Sequence, residues 1–145
     1  MADNEKTGYW LFKQEPGAYS YADLERDGRT VWDGVTNALA RQNLRRVRVG
    51  DRVLFYHTGA EKAVVGEMCV VAAPRPAADD DKQVVVEVAP VRRLTPVPLA
   101  RIKEDALLRE WELVRLPRLS VVPLTPAQLR RVEELSATAS GTGRA

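Results

Sequence analysis

The chemistry that this sequence suggests first is phosphate binding by a group of arginines. Arg41, Arg45 and Arg48 recur at intervals of four and three. Arg46 adds a fourth guanidinium, and no acidic residue interrupts the segment 37–50. Such intervals place side chains on one helix face, and guanidinium groups can hold a nucleic-acid backbone without reading its sequence. An ordinary solvated helix face carries the same pattern, so the arginines alone leave both interpretations open.

A second candidate feature is the aromatic residue within TVWDGVTN, residues 30–37. Asp33 and Gly34 directly follow Trp32 and favour a turn. We therefore expect the indole at the rim of the fold, with one face open to a ligand. Beside a basic helix, such a ring suits base stacking, which contributes about 1–3 kcal/mol per base.

The residues give no positive sign of catalysis or metal binding. His57 is the only histidine and Cys69 the only cysteine. Cys69 lies within an apolar segment, which is typical of a buried and inert thiol. One histidine and one cysteine supply too few ligands for a metal site, and the chain has neither a Walker loop nor a glycine-rich dinucleotide turn. We predict no catalytic residue, no metal and no cofactor.

Length and composition set broad limits on the kind of protein. The chain has 145 residues, of which 45% are hydrophobic and 29% charged, and its net charge is +2. These values are typical of one globular domain and neither favour nor exclude nucleic acid. A single cysteine allows no internal disulfide, and no apolar run reaches the roughly 18 residues of a membrane span. We expect a soluble, cytoplasmic protein that does not enter a membrane.

The elements that must position the candidate residues follow from hydrophobic patterns and turn signals. Strands are predicted at 9–14, 52–58, 63–72 and 83–94, and within LPRLSVVPL; helices are predicted within SYADLERDG, NALARQNLRRVRVGD, PLARIKEDALLREW and TPAQLRRVEEL. This order predicts an α+β fold, a small and mostly antiparallel β-barrel with helices packed outside. We expect a disordered N-terminus at 1–7, a single domain at 8–135 and a disordered tail at 136–145.

Six segments follow one another as the motifs of the EVE-domain family do. They are YWLFKQEP, SYADLERDG, WDGVTNALAR, VRVGDRVLFYHTG, VVGEMCVV and RLSVVPLT. The chain resembles that family from Tyr9 to about Leu135. The resemblance implies a PUA-like β-barrel related to the YTH and ASCH domains. It also implies a reader of modified bases in DNA or RNA, in which a flipped base enters an aromatic-walled pocket while basic residues hold the strand.

The sequence departs from the EVE pattern near the expected pocket. Residues 32–35 keep Trp-Asp-Gly-Val, but Gln14 replaces the serine of Lys-Ser-Glu-Pro, and Thr58 replaces the serine of Phe-Tyr-His-Ser. Residues 36–41 have lost an arginine, a tyrosine and a glutamine of Arg-Asn-Tyr-Gln-Ala-Arg. Ala73 replaces another tyrosine, and the loop after it is shortened to AADDDK. These changes imply a wider pocket, a different modification or a different ligand.

The resemblance assigns the candidate residues to two groups. The first would form the base pocket, with an indole wall, polar groups at the base edge and an opposite wall from the third strand: Gln14, Trp32, Asp33, Gly34, Asn37, Tyr56, His57 and Thr58. The second would hold phosphates: Lys13, Arg41, Arg45, Arg46 and Arg48. The expected partner is DNA or RNA, with or without a modified base.

Two other functions stay open at this point. One is an RNA-binding module of the ASCH or PUA kind that needs no modified base. The other is a small ASCH-like amidohydrolase that acts on modified nucleosides with Lys13 and Glu15, which as residues i and i+2 of a strand could share a face. The sequence leaves open the modification, the choice between DNA and RNA, and the oligomeric state.

Overall fold

Two long central strands carry the other elements of this α+β fold. The structure, a computed structural model, describes residues 8–78 and 82–144. Its strands are β1 (Tyr9–Gln14), β2 (Thr30–Trp32), β3 (Arg52–His57), β4 (Ala63–Pro76), β5 (Val84–Pro98) and β6 (Val121–Pro123). Its helices are α1 (Tyr21–Asp27), α2 (Ala38–Arg45), α3 (Leu99–Glu104), α4 (Glu112–Arg115) and α5 (Pro126–Arg144).

The described strands form one sheet in the order β2-β5-β4-β3-β1-β6. β1 and β3 run parallel and the other pairs run antiparallel. The prediction of a mostly antiparallel arrangement is confirmed, but the prediction of a closed barrel is wrong. The edge strands β2 and β6 are not paired with each other among the described residues. Helix α2 contacts both β5 and β6, and Asn43 Nδ2 donates to Val121 O of β6 at 2.8 Å. A helix therefore lies where pairing of the two edge strands would close the sheet.

Helix α1 is fixed to the sheet by one buried tyrosine. Tyr21 Oη lies 2.7 Å from Glu67 O and 2.8 Å from Arg92 O. A Cβ added to Gly66 would stand 2.4 Å from the Tyr21 ring. Glycine at this position of β4 therefore allows the strand to approach the ring closely enough for both contacts.

A buried carboxylate joins the three central strands to the C-terminal helix. Glu67 accepts hydrogen bonds from Arg52 Nε at 2.7 Å and from Arg92 Nε at 3.0 Å. Arg52 also donates to Glu133 of α5 at 3.0 Å. Burial on its own would raise the pKa of Glu67, but the hydrogen bonds from Arg52 and Arg92 hold that pKa below its ordinary value.

Helix α5 continues beyond the predicted end of the domain. Its first turn is capped by Thr125, since Gln128 N donates to Thr125 Oγ1 at 3.1 Å. Ser136 is buried, and its Oγ donates to Thr95 O at 2.9 Å. The prediction of disorder from residue 136 is therefore wrong at its start, because β5 offers a carbonyl to this turn. The expected disorder at 1–7 lies outside the described residues, and none of the described helices is long and apolar enough to cross a membrane.

Candidate nucleic-acid interface

The parallel pairing of β1 and β3 brings several predicted pocket residues together. In this register, Lys13 lies opposite Tyr56 and Gln14 opposite His57. Thr58 N donates to Gln14 O at 2.9 Å. Because the carboxyl ends of two parallel strands meet at one edge, these five residues lie side by side, although paired residues of the two strands are 43 positions apart in the sequence.

Behind these strand ends lies a set of buried rings that we call the aromatic layer: Phe12, Trp32, Phe55 and His57. The Trp32 ring centroid is 5.4 Å from that of Phe12 and 5.3 Å from that of Phe55. Trp32 is only 4% exposed, so the expectation of an open indole face is wrong. The turn begins after Trp32, and the ring follows the alternation of β2, in which Val31 faces outward and Trp32 inward.

His57 is also held inside the protein rather than presented to a ligand. Its Nε2 accepts the backbone N–H of Tyr21 at 3.1 Å, and its Nδ1 lies 2.7 Å from Glu61 Oε1. Acceptance at Nε2 places the proton on Nδ1, which donates to Glu61. Tyr56 is 3% exposed, and burial raises its pKa to about 12. The expected open wall at residues 56–57 is therefore closed in this structure, because both side chains pack into the core.

The predicted arginine stripe does not form one helix face. Helix α2 ends at Arg45, and Arg48 lies beyond it. The helix stops because the Arg48 backbone N–H donates to Asp51 Oδ2 at 2.8 Å. Arg41 Nε donates to Val35 O at 2.9 Å, and the Arg46 guanidinium lies 5.7 Å from the Trp10 ring centroid. Arg41 and Arg46 therefore contact different parts of the fold, and Arg48 lies outside the helix.

Two clefts near the end of β4 share Arg75, Pro76 and Gln83. The larger, about 790 Å³, is also lined by Asp33 and Gly34. The smaller, about 240 Å³, is also lined by Arg45. The φ of Gly34 is 76°, and a Cβ there would meet nothing within 4 Å. Glycine is therefore needed for the left-handed backbone, and the space above it is open.

A separate cleft of about 390 Å³ lies beside Asn37, and we call it the Asn37 cleft. It is lined by Asn37, Leu39, Arg115, Leu116, Pro117, Arg118 and Leu119. Asn37 caps α2 by accepting the N–H of Ala40 on Oδ1 at 2.9 Å, which leaves its Nδ2 as the donor facing outward from the cap. Of the predicted pocket residues, Asn37 alone lines this cleft, whereas Asp33 and Gly34 line the larger cleft at β4.

Cationic side chains surround the Asn37 cleft. Lys13 Nζ donates to Pro117 O at 2.8 Å and lies 5.7 Å from the Tyr56 ring centroid. Burial lowers the pKa of Lys13. Arg115 Nε donates to Glu110 O at 2.8 Å, whereas the side chain of Arg118 has no hydrogen-bond or ion-pair partner among the described residues. This cleft combines an amide, aliphatic side chains and positive charge.

Sequence reasoning missed the segment 115–119, which forms one wall of the Asn37 cleft. The only signal for it was the RLSVVPLT motif, whose residues 118–125 were interpreted as a short strand. Trp111 anchors the preceding turn, since it is fully buried and its Nε1 donates to Pro123 O at 2.8 Å. No local pattern connects this segment to Asn37, because the two are about 80 residues apart in the chain.

The structure does not assemble a catalytic pair from Lys13 and Glu15. Strand β1 ends at Gln14, so Glu15 no longer follows the strand alternation. Glu15 Oε1 accepts the backbone N–H of Gly17 at 2.7 Å, while the Lys13 ammonium is bound to Pro117. The described residues also contain no group of three or more His, Cys, Asp or Glu side chains that could hold a metal ion.

Comparison with known proteins places this chain in a family. The family model of the EVE domain matches residues 8–135. Mouse thymocyte nuclear protein 1 is 28% identical over 169 residues, which cover 91% of this chain and 75% of the mouse protein. The NMR structure of Rpa0253 from Rhodopseudomonas palustris superposes with a TM-score of 0.87 at 31% identity, covering 91% of this chain and 94% of that one.

A further similar structure contains a ligand. The crystal structure of human THYN1 in complex with 5-methylcytosine-containing DNA superposes with a TM-score of 0.82 at 28% identity. The match covers 90% of this chain and 98% of that one. Because the family match extends over most of the sequence, this chain belongs to the EVE domain family.

Proposed function

We propose that this chain binds DNA and holds one unstacked, modified base in the Asn37 cleft. The observation that carries the proposal is the meeting of an amide donor, an aliphatic wall and a cationic rim at one open cleft. The similarity to human THYN1, whose structure contains 5-methylcytosine DNA, supports the same ligand class. Asn37 belongs to the base-pocket residues inferred from the sequence, and Lys13 to the phosphate-binding ones.

Asn37 would supply the hydrogen bond that recognises the base edge. Its Oδ1 is used by the helix cap, so Nδ2 is free to donate to a carbonyl or ring-nitrogen acceptor of the base. A base without a matching acceptor would leave this donor unpaired, which costs about 1–3 kcal/mol. Pro117 and Leu119, which also line the cleft, would contact the face or methyl group of the base, where each buried methyl contributes about 0.8 kcal/mol.

Positive side chains at the rim would hold the flanking phosphates. Arg118 has no internal partner to give up among the described residues. Lys13 uses one of its three N–H groups on Pro117 O, and the other two can contact phosphate oxygens. Arg45, at the other end of α2, would contact a more distant phosphate. These contacts supply affinity and position but do not select a base.

Fluorescence anisotropy with labelled oligonucleotides tests this proposal through Asn37→Ser. Serine keeps the helix cap and adds no charge, but it removes the amide donor. We expect wild-type protein to prefer DNA with 5-methylcytosine, or another modified base of the panel, over unmodified DNA. In Asn37→Ser the affinity for the modified DNA should fall about tenfold, and a cytosine that enters the cleft should lose the same contact, because both bases present the same acceptors to this donor. Arg26→Gln is the matched surface control, since Arg26 pairs with Asp23 and Asp27 on α1.

The same titrations separate the other functions. Equal affinity for modified and unmodified strands, with a steep salt dependence, would indicate a backbone binder. Tighter binding of the matching RNA would indicate an RNA module of the ASCH or PUA kind. Chromatography of free modified nucleosides after incubation with the protein tests for an amidohydrolase, and we expect no product.

A further inference from the structure

We infer that the target base starts inside a DNA duplex, and that Leu39 and Leu116 occupy its place in the base stack when it enters the Asn37 cleft. This inference depends on the proposed function, because it specifies the form of DNA that the cleft recognises. A single-stranded target would need no such replacement.

The first observation is where the exposed aliphatic side chains lie. The large hydrophobic side chains that are exposed among the described residues are Val31, Leu39, Val49, Val91, Leu107 and Leu116. Leu39 is 44% exposed on the first turn of α2, and Leu116 is 40% exposed on the facing segment 115–119. Two exposed leucines thus stand at one cleft, next to the donor of Asn37.

The second observation is the chemistry around these leucines. Lys13, Arg115 and Arg118 surround the same cleft, and the positive end of the α2 dipole lies beside Asn37. Positive charge on this rim favours a polyanion over an apolar protein surface. Proteins that open a duplex insert apolar side chains, leucine among them, between base steps while cationic groups hold the backbone.

The third observation is that no aromatic side chain lines the Asn37 cleft in the described part of the chain. Modules that bind single strands rely on aromatic rings on which successive bases stack. The rings of this protein lie in the aromatic layer, where Trp32 and Phe55 are buried. The cleft therefore lacks a stacking platform for a flexible strand, whereas its leucines suit the gap that a flipped base leaves.

The test compares Leu39→Ala, Leu116→Ala and the double variant on three DNAs that carry the same modified base. The DNAs are a fully paired duplex, a duplex with an abasic site opposite the modified base, and the single strand. For the double variant we expect affinity for the paired duplex to fall about tenfold. We expect a smaller loss on the abasic duplex and a change within about twofold on the single strand. Leu107→Ala is the matched control, since Leu107 is 49% exposed and lies outside the cleft.

2-Aminopurine next to the target reports unstacking directly. We expect its fluorescence to rise when wild-type protein binds the paired duplex and to rise less with the double variant. Equal losses on duplex and single strand, or no loss on any DNA, would overturn the inference. Binding of wild-type protein to single strands alone would overturn the inference but leave the proposed function standing. An absence of binding to every DNA would overturn both.

Discussion

The aromatic layer and the Asn37 cleft lie next to each other but differ in the side chains that form them and in how far those side chains are exposed. In the layer, rings pack against rings, and the polar atoms of His57 are satisfied by Tyr21 and Glu61. In the cleft, leucines stand exposed, and the Arg118 side chain has no internal partner among the described residues. Lys13 lies between the two regions, since its ammonium donates to Pro117 O at the cleft and stands 5.7 Å from the ring centroid of Tyr56, whose chain neighbours Phe55 and His57 belong to the layer.

This difference separates residues that build the site from residues that touch a ligand. The sequence suggests a ligand-binding role for an aromatic residue near a turn, but such a residue can contact a ligand only if its ring is exposed. Trp32 and Phe55 stabilise the sheet that positions the strand ends. The groups available for binding are those of the Asn37 cleft, namely an amide, two leucines and several cations. Substitutions in the layer should therefore change stability, whereas substitutions at the cleft should change DNA binding.

The largest effect is expected for Trp32→Ala. Removing a buried indole leaves a cavity next to Phe12 and Phe55, and we expect the free energy of unfolding to fall by about 3–5 kcal/mol. Urea denaturation followed by far-UV circular dichroism measures this change. Leu39→Ala, at the cleft, should stay within about 0.5 kcal/mol of wild type.

A second, milder variant keeps the test usable if Trp32→Ala does not fold. Trp32→Phe keeps an aromatic ring in the layer and should lose less stability than Trp32→Ala. If Trp32→Ala instead unfolds at the wild-type urea concentration but no longer binds DNA, Trp32 belongs to the binding surface and the division between the two regions is wrong.

The next largest effect is expected for Glu67→Gln, which removes the carboxylate partner of two arginines, in contrast to Arg118, whose side chain has no partner in the part of the chain that the structure describes. Glutamine keeps the shape but leaves Arg52 and Arg92 without their buried carboxylate. Because both arginines are partly exposed, with side-chain exposures of 39% and 45%, we expect a loss of about 2 kcal/mol. DNA affinity of the folded variant should stay at the wild-type level.

Acid should remove the same stabilisation from the wild-type protein. The pKa of Glu67 is lower in the folded state than its ordinary value of 4.5, so the unfolded chain takes up the proton first as the pH falls. The contribution of Glu67 is therefore complete above about pH 4.5 and is lost as the pH falls through the folded pKa. Urea titrations between pH 3 and 7 should show a smaller acid-dependent loss for Glu67→Gln, and parallel curves would contradict the assignment.

The sequence was sufficient for elements whose signals are local. Strand β1 has its predicted bounds because an apolar run ends before Pro16 and Gly17. Helix α1 forms within the predicted segment SYADLERDG because Ser20 and Asp23, three residues apart, make a local capping box. By contrast, β4 extends to Pro76, into the predicted loop, because its last residues pair with the start of β5. Alternation within a single strand does not show how far a partner strand will pair.

The site was predicted less well because its contacts are between distant segments. Asn37 was chosen as a base-pocket residue from its own motif, and it lines a cleft; its contact with a base stays a prediction. The facing wall at 115–119 carries no motif that links it to Asn37, and only the folded chain brings them together. Likewise, the arginine period continued through Arg48, but a carboxylate from the next turn ends α2 earlier. Tertiary hydrogen bonds therefore overrode the periodic pattern.

A moderate effect on binding alone is expected for Arg118→Gln. Because this side chain has no described internal partner, its loss should leave the urea midpoint unchanged. Removing one phosphate contact should weaken binding of modified and unmodified DNA alike, and should reduce the slope of log Kd against log salt by about one. An altered base preference with an unchanged salt slope would place Arg118 at the base instead.

A small effect on stability, and the sharpest test of the boundary between the regions, is expected for Lys13→Met. Methionine keeps the apolar stem beside Tyr56 but loses the hydrogen bond to Pro117 O, and we expect the free energy of unfolding to fall by about 0.5 kcal/mol. DNA binding should fall more than this, because the variant loses a rim cation and releases the wall of the cleft at Pro117 together. Anisotropy titrations beside urea denaturation measure both quantities, with Lys103→Met as the control at an exposed lysine of α3. A loss of stability without a loss of binding would show that Lys13 only supports Tyr56 in the core. It would also show that the cleft keeps its shape without Lys13.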